Sequence, residues 1–404
     1  MDTGDRLGDL TDDILWHVLS FLSANEALQT CVLDTRWRDL WRHTTSLLFI
    51  FDGSMFPRYK RFEQLVKLVI HLRGESPLVT CKIDAYPDDD PEHTFTNTKL
   101  LIDYALVCKA EELVVRAADI RYDIPMFDVP LNLISQHLKT LHLERVNLDH
   151  SDLKFSGCPV LEDLSIQLCS IRAGEISSMS LKRLSITNVC YLRHDVRIRI
   201  CAPGLISLQL DDFEGLTPCL ENMPLLETAY VGLGDGCYDF CRDGQADCNY
   251  PYCGCHFYPV NNGVLLGGLS NVGKLELIAV PKMFIYKWDL EGCPIFCKLR
   301  TLLLNEWFTT IGLVCILQHS PLLEMLTLRL GNTESLTGEM GVQEMIQKSF
   351  VCAHLKVVNI ECKELWEPPS RSQEHAAINT ITGGFRPPAI HLAPPLHPPP
   401  PELD

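Results

Sequence analysis

The sequence predicts an α/β chain in three parts. A short helical module comes first, then a long stack of strand-bearing repeats with a parallel sheet on its concave face, then a disordered proline-rich tail. Three observations predict this order. Residues 5–48 crowd apolar anchors at helical spacing into a short stretch. From about Leu78 the pattern L-x-x-L-x-L recurs through most of the chain. The last residues, ending PPLHPPPPELD, are too rich in proline to build a core. The parts divide at 1–50, 51–365 and 366–404, with a cysteine-rich insertion at 234–260.

Composition narrows the function. The chain has 404 residues, 46% of them hydrophobic, enough for a sizeable core. Its net charge of -17 and lack of a basic run argue against a nucleic-acid backbone or an anionic membrane as partner. The N-terminus, MDTGDRLGD, lacks the apolar core of a signal peptide, and the best apolar run, Ile311 to Leu317, is too short to span a bilayer. The expected setting is cytoplasmic, nuclear or both, where the 18 cysteines stay reduced. Those inside apolar patterns, such as Cys31, Cys108, Cys169 and Cys315, read as small core residues.

The first element follows from local chemistry. Thr11 stands where an N-cap belongs, and Asp12 and Asp13 suit the positive end of the helix dipole. Ile14, Leu15, Val18, Leu19 and Leu22 then form one apolar stripe. Ser23 and Glu26 have capping-box spacing, so a second helix starts there and carries Ala27, Leu28, Cys31 and Val32. Asp34 can cap a third helix with Trp37, Leu40 and Trp41 on one side and Arg36, Arg38 and Arg42 on the other. Three short helices have little room for a private core. The excess apolar surface either packs on the next domain or forms an interface for another protein.

This stretch resembles an F-box in the form common in plant proteins. The matching residues are Asp5-Arg6-Leu7, Leu10, Asp12-Asp13-Ile14-Leu15, Val18-Leu19-Ser20-Phe21-Leu22, Glu26-Ala27, Thr30-Cys31-Val32-Leu33, Arg36-Trp37-Arg38 and Leu40-Trp41, in register and without a gap. The resemblance implies a three-helix F-box that docks onto the Skp-type adaptor of a ubiquitin ligase, and through it onto cullin and RING subunits. The residues it assigns to adaptor binding are Leu10, Ile14, Leu15, Val18, Leu22, Leu28, Val32, Trp37, Leu40 and Trp41. Thr11 departs from the proline usual in the family, and Asp34-Thr35 from the usual Ser-Arg. The lost proline should weaken docking somewhat. Thr11 can still start the helix, so docking is expected to survive.

The repeats come next. Clear copies start at Leu138, Leu161, Leu181, Leu205, Leu299 and Leu323, and weaker ones at Leu78, Ala110, Leu226, Val272 and Leu355. Most neighbouring starts lie roughly 20–32 residues apart, near the leucine-rich-repeat period. Each copy supplies a short strand with one apolar face, which stacking buries. The residues between the anchors then line an exposed face. His142, Asp163, Arg183, Gln209 and Arg300 are the candidate target-binding positions there, with Glu162 and Lys182 nearby. The plainer reading of any one of them is a solvated side chain. The array is irregular and lacks the consensus Asn, like the leucine-rich arrays of plant F-box proteins. Ser349 to Val358 is similar to the start of that family's FBD segment, but a proline-rich tail replaces the expected helical remainder.

Motifs for catalysis are weak. The insertion holds Cys237, Cys241, Cys248, Cys253, Cys255 and His256. Such residues can hold zinc, and Cys248, Cys253, Cys255 and His256 are the candidates. Their gaps are irregular and Cys253-Gly254-Cys255 is too tight for a C-x-x-C knuckle, so a cysteine-rich loop is the simpler reading and no metal or cofactor is assigned. Gly268 to Lys274 has P-loop spacing, but Leu275 replaces the magnesium-binding hydroxyl. Asp88, Asp89 and Asp90, between prolines, read as a solvated loop.

The expected protein is therefore no enzyme. It is a substrate-recognition subunit of a Skp–cullin–F-box ubiquitin ligase, with the repeats holding an unidentified target protein. Two alternatives share its architecture: a receptor for a hormone-like small molecule, and an F-box-like protein without ligase activity. A zinc protein centred on the insertion is a third.

Overall fold

The computed structural model describes residues 10–50, 59–85, 91–117, 128–148 except 130, 152–239 except 222, 263–305 except 281–282, 308, 310–330 and 352–362. The chain divides into two compact units, Met1–Leu205 with Asp212–Leu216, and Ile206–Asp211 with Thr217–Asp404. The tail at 366–404, the acids Asp88 to Asp90 and the insertion from 240 to 260 lie outside the described residues.

The first unit opens with α1 (Asp12–Leu19) and α2 (Ala24–Gln29). Thr11 starts α1 through its carbonyl, which accepts the N–H groups of Ile14 and Leu15 at 3.1 Å, while its side chain makes no cap bond. Its φ of -70° lies in the range proline imposes, so the backbone here does not depend on which residue is present. The capping box at α2 forms as expected: Glu26 Oε2 accepts from the Ser23 N–H at 2.9 Å, and Ser23 Oγ accepts from the Glu26 N–H at 3.3 Å. The third helix differs from expectation. It is one α turn, α3 (Trp37–Leu40), between 3-10 turns at Thr30–Val32 and Trp41–His43. Asp34 spends its carboxylate on Thr35 and its carbonyl reaches Trp37, at 3.2 Å, because the helix starts two residues too late for Asp34 to cap it.

Behind these turns runs a row of parallel strands: β1 (Ser46–Ile50), β2 (Thr80–Ala85), β3 (Glu112–Ala117), β4 (Thr140–Glu144), β7 (Asp163–Gln167) and β10 (Arg183–Thr187). Two side ladders complete the unit. One is β14 (Phe213–Glu214), β11 (Cys190–Leu192), β8 (Ser170–Ile171) and β5 (Asn147–Leu148). The other is β12 (Arg199–Cys201), β9 (Glu175–Ser177) and β6 (Leu153–Lys154). Helices α4 (Tyr59–Arg73) and α5 (Pro91–Val107) precede β2 and β3. On α4, Phe62, Leu65, Val66 and Val69 keep the i, i+3, i+4, i+7 spacing and are buried.

The second unit carries its own parallel row: β13 (Ser207–Asp211), β16 (Thr228–Leu233), β17 (Lys274–Ala279), β18 (Thr301–Asn305), β19 (Met325–Leu330) and β20 (Val357–Cys362). The short strand β15 (Cys219–Leu220) lies between the first two in the chain. Helices α6 (Phe284–Glu291) and α7 (Thr310–Gln318) precede β18 and β19.

Every copy of the repeat motif meets a strand, and always at the same point. The strand begins at the third motif position: Thr80 after Leu78, Thr140 after Leu138, Lys274 after Val272, Val357 after Leu355. The reason lies in the backbone at position two. Its carbonyl accepts two N–H groups from the following repeat, as Glu111 does from Lys139 (2.7 Å) and Thr140 (3.0 Å), and Glu324 from Lys356 (2.8 Å) and Val357 (3.1 Å). The motif leucines fill the core; Leu138, Leu141 and Leu143 are fully buried. At the far end Leu355, Val358 and Ile360 are only half-buried. β1 has no L-x-x-L-x-L copy of its own, and it heads the row because Leu47 and Phe49 supply the alternating buried face.

The row strands β4, β7, β10 and β13 each end in a left-handed turn, at Arg145, Leu168, Asn188 with Val189, and Asp212. The next residue is buried in every case: Val146, Cys169, Cys190 and Phe213. This is the consensus position for Asn or Cys; Cys169 takes it directly, and Cys190 fills its place one residue later because the turn there has two left-handed residues. Cys169 Sγ donates to the Gln167 and Leu143 carbonyls (3.1 and 3.5 Å), and Cys190 Sγ to those of Thr187 and Ile166 (3.3 and 3.5 Å). Thiols thus satisfy the turn carbonyls where an asparagine was looked for and not found.

Candidate functional site

The N-terminal helices bury a defined half of their apolar residues. Leu15, Leu19, Ala24, Ala27, Trp37, Leu40 and Trp41 form the interior. Trp41 Nε1 donates to the Arg38 carbonyl at 3.1 Å, and Arg36 ties the two ends of the segment together through Asp12 Oδ1 (2.6 Å) and the Leu10 carbonyl (2.5 Å). The other half faces out. Ile14 is 47% exposed, Val18 42%, Phe21 70%, Val32 86% and Leu33 64%. Ile14, Val18 and Phe21 follow at i, i+4 and i+7, hence on one face of α1 and the turn after it. His17 packs edge-on against Phe21, with ring centroids 4.9 Å apart.

The ten residues expected to bind an adaptor therefore separate. Ile14, Val18 and Val32 are exposed; Leu10, Leu22 and Leu28 are half-buried; Leu15, Trp37, Leu40 and Trp41 lie inside. The four buried ones shape the surface without lining it. Phe21 and Leu33 are the large exposed residues that sequence reasoning left off the list of contacts. Both lie within the matched F-box pattern, so the signal for them was available.

The strand faces form the second candidate surface. His142 stands in one cross-strand row with Lys82, Val114, Ser165 and Ser185. In the second unit Gln209 stands in a row with Tyr230 and Glu276. Most charged candidates are already paired sideways. Asp163 and Arg183 form a two-bond ion pair, and Arg300 pairs with Glu324, which also holds Lys356 at 2.7 Å. His142 Nε2 lies 3.8 Å from Glu144. Gln209 is exposed. Its neighbour Tyr230 is half-buried, and burial, with the Asp211 and Glu276 carboxylates beside it, pushes its hydroxyl pKa up. Tyr230 and Glu276 were missed because only the register places them beside Gln209.

The position-two side chains make a charge ladder. Glu111 meets Lys139 at 2.8 Å and Glu162 meets Lys182 at 2.6 Å, each across one repeat step. Residues of one row stack at strand spacing, so opposite charges at successive copies attract. The Lys182 ammonium lowers the pKa of Glu162, and Lys356 with Arg300 lowers that of Glu324.

Of the metal candidates, Cys248, Cys253, Cys255 and His256 lie outside the described residues, and Cys237 is buried. The residues flanking the insertion are well anchored. Asp239 is fully buried and accepts the Thr217 N–H at 2.8 Å. Asp289 is buried too and accepts the N–H groups of Val264, Leu265 and Leu266 at 2.6, 2.6 and 2.7 Å. The P-loop-like run does not cradle phosphate: Lys274 begins β17, and a Cβ on Gly268 would lie 2.5 Å from Leu220 Cβ. That glycine is needed for close packing.

The remaining cysteines mostly behave as core. Cys81, Cys108, Cys158, Cys169 and Cys190 are buried. Burial pushes the Cys81 thiol up to about 12 and Cys190 to about 11, so neither is a nucleophile at neutral pH. Cys31 and Cys315, expected as core, are only half-buried. Among the described residues, Cys293, Cys315 and His319 bring their sulfur and nitrogen atoms within 4.8 Å of one another. No helix among the described residues is long and apolar enough to cross a membrane.

Sequence comparison finds relatives among plant proteins. The meiotic F-box protein MOF of Oryza sativa subsp. japonica is 30% identical over 421 aligned positions, spanning 93% of this chain and 84% of that protein. An F-box/FBD/LRR-repeat protein of Arabidopsis thaliana is 25% identical over 393 positions, spanning 88% and 83%. An F-box/LRR-repeat protein of the same plant is 25% identical over 419 positions, spanning 92% and 88%. A scan against protein-family models matches none.

Proposed function

The chain belongs to the plant F-box/leucine-rich-repeat family, and from that premise we propose that it is a non-catalytic substrate-recognition subunit of a Skp–cullin–F-box ubiquitin ligase. The observation that carries the proposal is the exposure of large apolar side chains on the short helices: Ile14, Val18, Phe21, Val32 and Leu33. Side chains of this size on so small a segment are costly to leave in water and suit a protein interface. The Skp-type adaptor covers these side chains and reaches cullin and RING subunits in turn. The strand faces hold the target protein, through His142, Asp163 and Arg183 in the first unit and through Gln209, Tyr230, Glu276 and Arg300 in the second. Holding target and ubiquitin-loaded enzyme on one scaffold raises their effective concentration, so the chain itself needs no catalytic group. It works in the cytoplasm, the nucleus or both.

Adaptor capture tests this. Ile14→Asp and Val32→Asp each weaken binding to a Skp-type adaptor by about tenfold or more, with unchanged thermal midpoints, because both residues are exposed. Leu15→Asp and Trp37→Ala also lose binding, but with a lowered midpoint, since those side chains are buried. Full adaptor binding by both exposed-site variants would sink the proposal.

A further inference from the structure

The second unit holds a side-chain cluster that the adaptor and target surfaces do not use. Cys293 follows the end of α6, Cys315 lies in the last turns of α7, and His319 is the residue just past that helix. Their ligand atoms lie within 4.8 Å of one another, and all three residues are half-buried. Cys315 and His319 are four apart, the spacing that puts two side chains on one helix face. Cys293 is brought to them only by the packing of α6 on α7.

The second shell is in place. His319 Nδ1 lies 2.8 Å from the Cys315 carbonyl and 3.9 Å from Cys315 Sγ. An Nδ1–H donated to that carbonyl fixes the ring and leaves the lone pair on Nε2, the arrangement that orients metal-bound imidazoles. Cys315 Sγ also reaches the Leu290 carbonyl at 3.6 Å, which ties it to the end of α6.

We propose that Cys293, Cys315 and His319 form a binding site for a thiophilic divalent cation of the zinc class, with two thiolate sulfurs, one imidazole nitrogen and a fourth position for water. Zinc takes sulfur at about 2.3 Å and nitrogen at about 2.0 Å in tetrahedral geometry. Ligand atoms at those bond lengths around one tetrahedral centre lie about 3.5–3.8 Å apart, against separations of at most 4.8 Å here. On binding, each thiol gives its proton to solvent and its sulfur lone pair to the metal, so two protons leave per cation. The cation cross-links α6 to α7, and so the segments that lead into β18 and β19. This is separate from the Cys248, Cys253, Cys255 and His256 group of the insertion.

The experiment uses the full-length chain, stripped with chelator, incubated with zinc chloride and desalted. Zinc is then counted by elemental analysis. Wild type retains zinc, and Cys293→Ser, Cys315→Ser and His319→Ala each lower the content by one per chain. A Cys248→Ser/Cys253→Ser/Cys255→Ser variant does not change the part those three variants remove. Cobalt chloride gives tetrahedral visible bands and thiolate charge-transfer bands that are lost in the same three variants. Should a variant misfold, the wild-type protein still decides the matter: zinc slows alkylation of Cys293 and Cys315, read peptide by peptide, and chelator restores it. The proposal is overturned if zinc content is the same in wild type, Cys293→Ser and Cys315→Ser, or if the alkylation of both thiols ignores zinc. A Cys293–Cys315 disulfide in freshly purified protein with no metal uptake after reduction would overturn it too.

Discussion

Arg73 shows how one side chain can hold several elements together. It ends α4 and is buried, and both of its Nη atoms find acceptors, while the buried Nε has none among the described residues. Nη2 donates to the Thr44 carbonyl at 2.6 Å and to that of Pro77 at 3.1 Å; Nη1 donates to the Ser76 carbonyl at 2.7 Å. Tyr104 of α5 joins them, donating to the Gly74 carbonyl at 2.8 Å. The last turn of the N-terminal helices, α4, the entry to β2 and α5 thus meet at one residue. Arg73→Met keeps the apolar stem but leaves those carbonyls buried without their donor. It should cost about 3 kcal/mol, since each stranded buried acceptor costs about 1–3 kcal/mol. Chemical denaturation of the two proteins checks it; a loss below about 1 kcal/mol would mean that water replaces the guanidinium. Nothing in the sequence marked Arg73, because its value comes from carbonyls that only the fold gathers.

At the scale of elements, capping and the charge ladder set the response to pH. Glu26 is held below its usual carboxylate value by the Ser23 hydroxyl and N–H, Glu162 by Lys182, and Glu324 by Lys356 and Arg300. Each is lower in the folded chain than in the unfolded one, where Glu titrates near about 4.3. The unfolded chain therefore binds more protons in the acid range. The stabilisation is complete above the unfolded value and is lost as pH falls through the folded one. The thermal midpoint should drop as pH goes from about 6 to about 3, and the triple variant Glu26→Gln/Glu162→Gln/Glu324→Gln should start lower and drop less. Equal acid slopes for the two proteins would show that these pairs are silent. Each effect is small, because all three groups are solvent-accessible.

The repeats were the most legible elements, since each L-x-x-L-x-L copy marks a strand to the residue. The reason is physical: most copies repeat the same burial and the same two-N–H carbonyl, so one rule read once applies along the row. Reading the local sequence failed where neighbours decide. β1 has only Leu47 and Phe49 to announce it, and it is a strand because β2 lies beside it. α3 is a single turn although Trp37, Leu40 and Trp41 suggest a longer helix, since those residues are buried side by side and the chain must turn at once into β1.

For the whole molecule, the proposed docking face and the part of the recognition face around Gln209 draw on residues of different units and should be separable. Gln209→Ala/Tyr230→Ala alters the strand face of the second unit and leaves the N-terminal helices unchanged. It should retain wild-type adaptor binding while losing target proteins recovered by affinity purification with the proteasome inhibited. Ile14→Asp should do the reverse, keeping targets and losing adaptor. Joint loss in both variants would mean that one surface serves both partners.

The sequence alone determined the family resemblance, the capping box at Ser23 and Glu26 and the positions of the repeat strands, all of which rest on contacts a few residues apart or on a rule repeated along the chain. Only the tertiary structure decided which half of the N-terminal apolar residues faces water, which charged candidates are already paired, and that Cys293 meets Cys315 and His319. Those outcomes depend on residues far apart in the chain, whose packing no local pattern encodes.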